Sequence, residues 1–135
     1  MGRVTLVDSS VWIQFLRKPP AATPPELMAL LETGSAAMSE PIEMELLLGP
    51  TDEVALRRVE TLIASQETLA INPDVDFDDA AALYRAARRN GRTIRNSVDC
   101  LIAAIAIRHD VPLLHRDADF EVIADVSELR QLSLL

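Results

Sequence analysis

Residues 93–120, TIRNSVDCLIAAIAIRHDVPLLHRDADF, carry the segment that decides the fold. From Thr93 to Asp110 the pattern predicts one helix, apolar almost all the way round, and a helix without a polar face belongs in a core. "VPLLH" follows at once and reads as a short buried strand, with Asp117 two residues beyond its end. A buried helix feeding a buried strand is the mark of a parallel sheet with helical connections. One residue does not belong to that pattern. Asp99 stands in the first helical turn beside Cys100, Leu101 and Ile102, and burying an unpaired carboxylate is costly unless something neutralises it.

The same alternation extends outward in both directions. "RVTLVD" predicts a first strand ending at Asp8, and "SSVWIQFLRK" a short helix with a serine as its N-cap. "PPAATPP" is a break, "ELMALLETG" a helix closed by Gly34, and "AAMS" a second strand. "EPIEMELLLGP" is a short helix with Pro41 near its start, "DEVALRRVETLIAS" an amphipathic helix, and "TLAIN" a third strand. "DFDDAAALYRAARRNG" has acids in its first turn and arginines in its last, as the helix dipole favours. "LRQLSLL" supplies a fifth strand. The expectation is an α/β protein, a three-layer α/β/α sandwich around a parallel sheet of four to five strands, as one domain over residues 1–135. In such folds ligands bind beyond the carboxyl ends of the strands. That rule brings Asp8 and Asp117 to the same edge.

Composition narrows the function classes. The net charge of −8 argues against non-specific nucleic-acid binding over the whole surface. Yet Arg85, Arg88, Arg89, Arg92 and Arg95 crowd together, the first four at i, i+3, i+4 and i+7, so a continuous helix would align them as a basic stripe. The alternative for each is a solvated helix face. The single cysteine excludes an intrachain disulfide, and the two histidines have no cysteines at zinc spacing. Lys18 is the sole lysine and sits in the proline-rich turn, far from any strand end. No signal-peptide pattern opens the chain, and "CLIAAIAI" is far shorter than the roughly 20 residues of a membrane span. The expected setting is the cytoplasm, with no membrane partner.

Four acids in apolar contexts are candidates for the predicted strand-end edge: Asp8, Glu45, Asp99 and Asp117, with Asp119 as a fifth. The start of a helix opens towards or away from that edge, so geometry alone does not place Asp99. Glu45 shares a helix face with Ile42, Leu46 and Gly49. Taken singly, each acid has an ordinary alternative, since Asp99 can complement a helix dipole and Asp8 or Asp117 can cap a helix. Together they repel and raise one another's pKa unless a cation is present. Carboxylates in this number suit Mg²⁺ or Mn²⁺, and such a site suits phosphodiester hydrolysis by a metal-activated water. The arginines just before Asp99 would then hold a nucleic-acid backbone.

The pieces "LVDSSVWI", "EMELLLG" and "TIRNSVDCLIAAIAIRHDVPLLHRDADFEVIA", in that order from Leu6 to Ala124, resemble the PIN-domain family and within it the VapC toxins of bacterial toxin–antitoxin pairs. The resemblance implies catalytic and metal-binding roles for Asp8, Glu45, Asp99 and Asp117. Asp119 matches a further acid of many members, and Ser10 a hydroxyl that orders the site, with helix capping as its alternative. It further implies Mg²⁺- or Mn²⁺-dependent endoribonuclease activity on structured RNA such as tRNA or rRNA. The implied partners are a VapB-type antitoxin and a second copy of the chain. Trp12, Phe15, Leu27 and Leu30 are candidate interface residues, with core packing the commoner fate of such side chains.

Other readings predict different residues. A PIN-type housekeeping nuclease would share the acids. An aspartyl-phosphate phosphatase would need a second aspartate where Ser10 stands. A receiver-like signalling module would need paired acids after the first strand and a strand-end lysine. A non-catalytic interaction module would not need the acids.

Overall fold

The computed structural model describes residues 3–17 and 22–135, so Lys18 and part of the proline-rich break fall outside the described residues. Five parallel strands form its centre: β1 (Thr5–Val7), β2 (Ala36–Met38), β3 (Glu67–Thr68), β4 (Leu113–His115) and β5 (Gln131–Ser133). Their spatial order is β3-β2-β1-β4-β5. Leu6 pairs with Ala37 on one side and with Leu113 on the other, which puts β1 at the middle of the sheet. Every residue of β1, β2 and β4 is buried. Burial without alternation means that helices cover both faces, as the apolar runs predict. The chain steps from β1 outward to β3 and then returns to lay β4 against the free side of β1. The strand order therefore reverses at the β1–β4 boundary, where α/β sheets open their ligand crevice.

The covering helices are α1 (Ser9–Arg17), α2 (Pro25–Thr33), α3 (Glu40–Leu47), α4 (Glu53–Ala64), α5 (Asp76–Arg89), α6 (Ser97–Arg108) and α7 (Ala118–Asp125). Gly34 closes α2 at φ 66°, a left-handed conformation that glycine adopts without strain. Helix α6 is the central one, and Cys100, Ile102, Ala103, Ala104, Ile105 and Ala106 are all buried. Small residues on several of its sides let α5, α7 and the sheet approach closely. Among the described residues, no helix is long and apolar enough to cross a membrane.

Four expectations need correction. The predicted helix from Thr93 begins instead at Ser97, because the Asn96 side chain accepts the Val98 N–H at 3.0 Å and caps it there. The predicted serine cap of α1 is displaced by Asp8, whose carbonyl accepts the Val11 and Trp12 amides. The "TLAIN" strand shrinks and shifts to Glu67–Thr68. Beyond Leu69 the backbone takes side-chain partners instead, since the amides of Ile71 and Asn72 donate to Glu40 and Asp76. The basic stripe is cut short because α5 ends at Arg89 and Gly91 turns the chain at φ 74°. Arg85, Arg88 and Arg89 stay on α5, and Arg92 and Arg95 lie beyond it. Trp12 and Leu27 are fully buried core residues, and Phe15 and Leu30 pack partly buried against that core.

One ion pair fastens α5 to the far end of α6. Asp76 is fully buried, and its carboxylate accepts from Arg108 Nε at 2.8 Å and Nη2 at 2.9 Å and from the Asn72 amide at 2.7 Å. Burial by itself pushes this carboxyl up, and the hydrogen bonds and charge of Arg108 outweigh it and hold Asp76 below the usual range. Arg108→Ala leaves the carboxylate buried without its cation, which costs about 3 kcal/mol. Urea unfolding is expected to show that loss, with Asp76→Asn costing less because the charge goes too.

Candidate active site

The site lies where β1 and β4 end side by side. The Asp8 amide donates to Leu114 O at 2.9 Å, tying the two strand ends together. The Asp8 side chain is 3% exposed. Its Oδ2 accepts the Ser10 amide at 3.0 Å and the Ser10 hydroxyl at 2.5 Å. Its Oδ1 is buried with no hydrogen-bond partner. The Ser10 hydroxyl also accepts the Arg116 amide at 3.1 Å, so one side chain bridges the loops that follow β1 and β4. Burial raises the Asp8 pKa, partly offset by the Ser10 bonds.

Glu45 reaches the site from α3, half-buried, and Ser9 Oγ donates to its Oε1 at 2.8 Å. Its carboxyl is raised by burial and by the charges of Asp8 and Asp117. Asp117 caps α7, its Oδ1 accepting the Asp119 amide at 3.0 Å. Its own amide donates to His115 Nδ1 at 3.1 Å. That bond makes Nδ1 the acceptor, so the neutral ring carries its proton on Nε2, facing Gln131 Oε1. The fully buried His115 thus orients the Asp117 backbone.

Asp99 is the most perturbed of the group. It is 4% exposed, and its Oδ2 is buried without a partner. Burial, then the charges of Asp8, Asp117 and Glu45, push its pKa up to about 8. Oxygens of Asp99, Asp117 and Asp119 lie within 4.8 Å of one another. Asp119 therefore belongs to the tightest group, while Asp8 and Glu45 border it and act on it through their charge. The negative field extends to Cys100, whose thiol is raised to about 11 by burial and by Asp99 and Asp119, so it stays a protonated core group.

The structure brings together all five predicted acids and Ser10. Arg95 also joins them, with Nη2 at 3.6 Å from Asp117 and Nε at 3.6 Å from Asp119. Arg92 does not, and it lies 4.0 Å from Asp125 instead. Arg85 and Arg88 line an apolar groove of about 520 Å³ with Tyr84, Ser97 and Leu101, next to the Asp99 turn. Arg89 lies on another groove with Ala86 and Ile107. Sequence reading missed Ser9 and His115. The serine pair directly after a strand-end aspartate was a usable signal, whereas His115 reads as an ordinary strand residue.

Residues 5–126 match the PIN domain, and the chain belongs to the PIN-domain family. Relatives that it matches are named VapC ribonucleases. It is 43% identical over 130 residues to ribonuclease VapC11 of Mycobacterium tuberculosis, a match covering 95% of this chain and 97% of that one. The same figures hold for VapC ribonuclease Mb1587 of Mycobacterium bovis. The fold also matches VapBC2 from Rickettsia felis bound to a promoter DNA fragment, with TM-score 0.79, 18% identity, and 98% and 99% of the two chains covered. DNA-bound VapBC from Salmonella typhimurium matches with TM-score 0.75 at 18% identity, covering 98% of each chain. At such identities the structural likeness shows the fold alone.

The raised carboxyls set a pH dependence for the metal-free protein. Folded, Asp99 keeps its proton up to about pH 8, whereas its ordinary value is 3.8. Between those limits the folded chain binds more protons than the unfolded one, so stability falls as pH rises. Asp8 and Glu45 act in the same direction. Asp76 acts oppositely, contributing stability above 3.8 that is lost on acidification. Melting of EDTA-treated protein is expected to fall in temperature from about pH 5 to about pH 8. Asp99→Asn should make that fall shallower.

Proposed function

We propose that this protein is a divalent-cation-dependent endoribonuclease, the toxin of a toxin–antitoxin pair, restrained by a cognate VapB-type antitoxin. The observation that carries the reading is the pair of orphaned oxygens, Asp8 Oδ1 and Asp99 Oδ2, buried among five acids. Desolvated carboxylate oxygens without donors are costly unless a cation takes the place of the donors. Hard oxygen donors in this number fit Mg²⁺ or Mn²⁺. The kinship to proteins named ribonucleases supplies RNA as the substrate class.

Asp99, Asp117 and Asp119 would hold the cation, with Asp8, whose Oδ1 has no donor, and Glu45 at its border. A bound divalent ion supplies charge neutralisation and a nucleophilic water at neutral pH. The chain's own groups do the rest. Ser10 fixes the Asp8 carboxylate by two bonds, and Ser9 fixes Glu45. Glu45 is half-exposed, so its carboxylate can reach solvent and accept the proton of an attacking water. His115 and the α7 cap hold Asp117. Arg95, with Arg85, Arg88 and Arg89 on α5, offers positive charge to an RNA backbone approaching an otherwise acidic protein. An antitoxin as partner is supported by the 43% identity to proteins named VapC ribonucleases.

Incubating the antitoxin-free protein with total cellular RNA and Mn²⁺ tests this reading. Cleavage is expected, and EDTA should abolish it. Asp99→Asn should lower the rate by roughly two orders of magnitude or more while the protein stays folded. Absence of cleavage of any RNA by the Mn²⁺-loaded protein would sink the nuclease reading. Because only the folded site gathers the acids, millimolar Mg²⁺ should also raise the melting temperature by several degrees. An unchanged melting temperature would count against a metal site.

A further inference from the structure

We propose that Arg95 is a tethered, displaceable counter-cation of the acidic cluster. Without a divalent ion its guanidinium lies over Asp117 and Asp119. It competes with an entering ion for those carboxylates, and on displacement turns to a phosphate of the substrate. This rests on the metal-dependent nuclease reading and deepens it.

The geometry separates a fixed backbone from a free side chain. The Arg95 amide donates to Asp119 Oδ2 at 3.0 Å. Ile94 before it is buried in the core, and Asn96 after it caps α6. The Cα is thus held on both sides beside the cluster. The side chain is 75% exposed, and its two approaches to carboxylate oxygens, both 3.6 Å, are ion-pair distances too long for hydrogen bonds. An exposed pair of this kind is weak and readily exchanged. Among the described residues, Arg95 is the one guanidinium within ion-pair distance of the site acids. Arginine keeps its charge at every accessible pH, so the cation leaves the carboxylates only by moving. A divalent ion brings the greater charge to the same oxygens, and a guanidinium set free beside it is placed for a phosphate.

Calorimetric titration of EDTA-stripped protein with Mn²⁺ alone tests the competition. Arg95→Gln is expected to bind Mn²⁺ about three- to tenfold more tightly than the wild type at low salt. Arg95→Lys should fall between them. The gap should shrink at about 0.5 M salt, where exposed charges are screened. The hydrogen bond from the backbone N–H of residue 95 to Asp119 Oδ2 survives either substitution, so the fold is retained. The Mn²⁺-induced rise in melting temperature should be larger in Arg95→Gln than in the wild type. With saturating Mn²⁺ and RNA as substrate, Arg95→Gln should raise KM about three- to tenfold and leave kcat within about twofold, as loss of uniform phosphate binding requires. Equal or weaker Mn²⁺ binding by Arg95→Gln would overturn the competition, and a fall in kcat at unchanged KM would overturn the transfer to phosphate. If the wild type bound no Mn²⁺, the metal reading itself would fail and take this proposal with it.

Discussion

The mutual repulsion of carboxylates gathered at the β1–β4 edge is the constraint around which the rest of the molecule is arranged. Asp99 stands at its centre, buried, facing Asp8, Asp117 and Glu45, with one oxygen that nothing in the chain satisfies. Such a cluster opposes folding. It persists because the elements that carry it are anchored elsewhere: α6 by its apolar body and, at its far end, by the Asp76–Arg108 pair, and β1 and β4 by their ladder. The contrast between the two buried aspartates is instructive. Asp76 has a full complement of donors and a cation, and its pKa drops. Asp99 has neither, and its pKa climbs to about 8.

Holding repelling groups at fixed positions takes rigid support, and the support here is local. Ser10 joins the two loops at the sheet edge, Ser9 restrains Glu45, and His115 with the α7 cap restrains Asp117. These bonds let the acids stay close without collapsing outward into solvent. Preorganisation of this kind lets a site stabilise charge without rearranging at the moment of reaction. Among the described residues Arg95 brings the one guanidinium within ion-pair distance of these acids, its backbone held by Asp119 and its side chain 75% exposed.

Membership in the PIN-domain family and the kinship with VapC ribonucleases fit a chain whose net charge is negative and whose arginines are localised. An acidic protein gains little from diffuse attraction to nucleic acid, so positive charge matters chiefly where it stands next to the carboxylates. The tertiary structure divides the sequence's arginine run accordingly. Gly91 breaks it, leaving three residues on α5, Arg92 beside Asp125, and Arg95 over the acids.

The sequence by itself determined the alternation of strands and helices, the burial of α6 and β4, and the meeting of Asp8 and Asp117 at the sheet edge. Those features rest on local periodicity and on the rule that parallel strands present their carboxyl ends together, and both are readable along the chain. Element ends were less legible, because they depend on partners distant in sequence. The third strand stops at Thr68 because Glu40 and Asp76 take over the amides of Ile71 and Asn72. Only the tertiary structure decided that Asp119 belongs to the tightest triple, that His115 orients Asp117 and that Arg95 reaches across to Asp117 and Asp119. Each of these is a matter of side-chain direction set by packing between separate elements, which periodicity along one element does not encode.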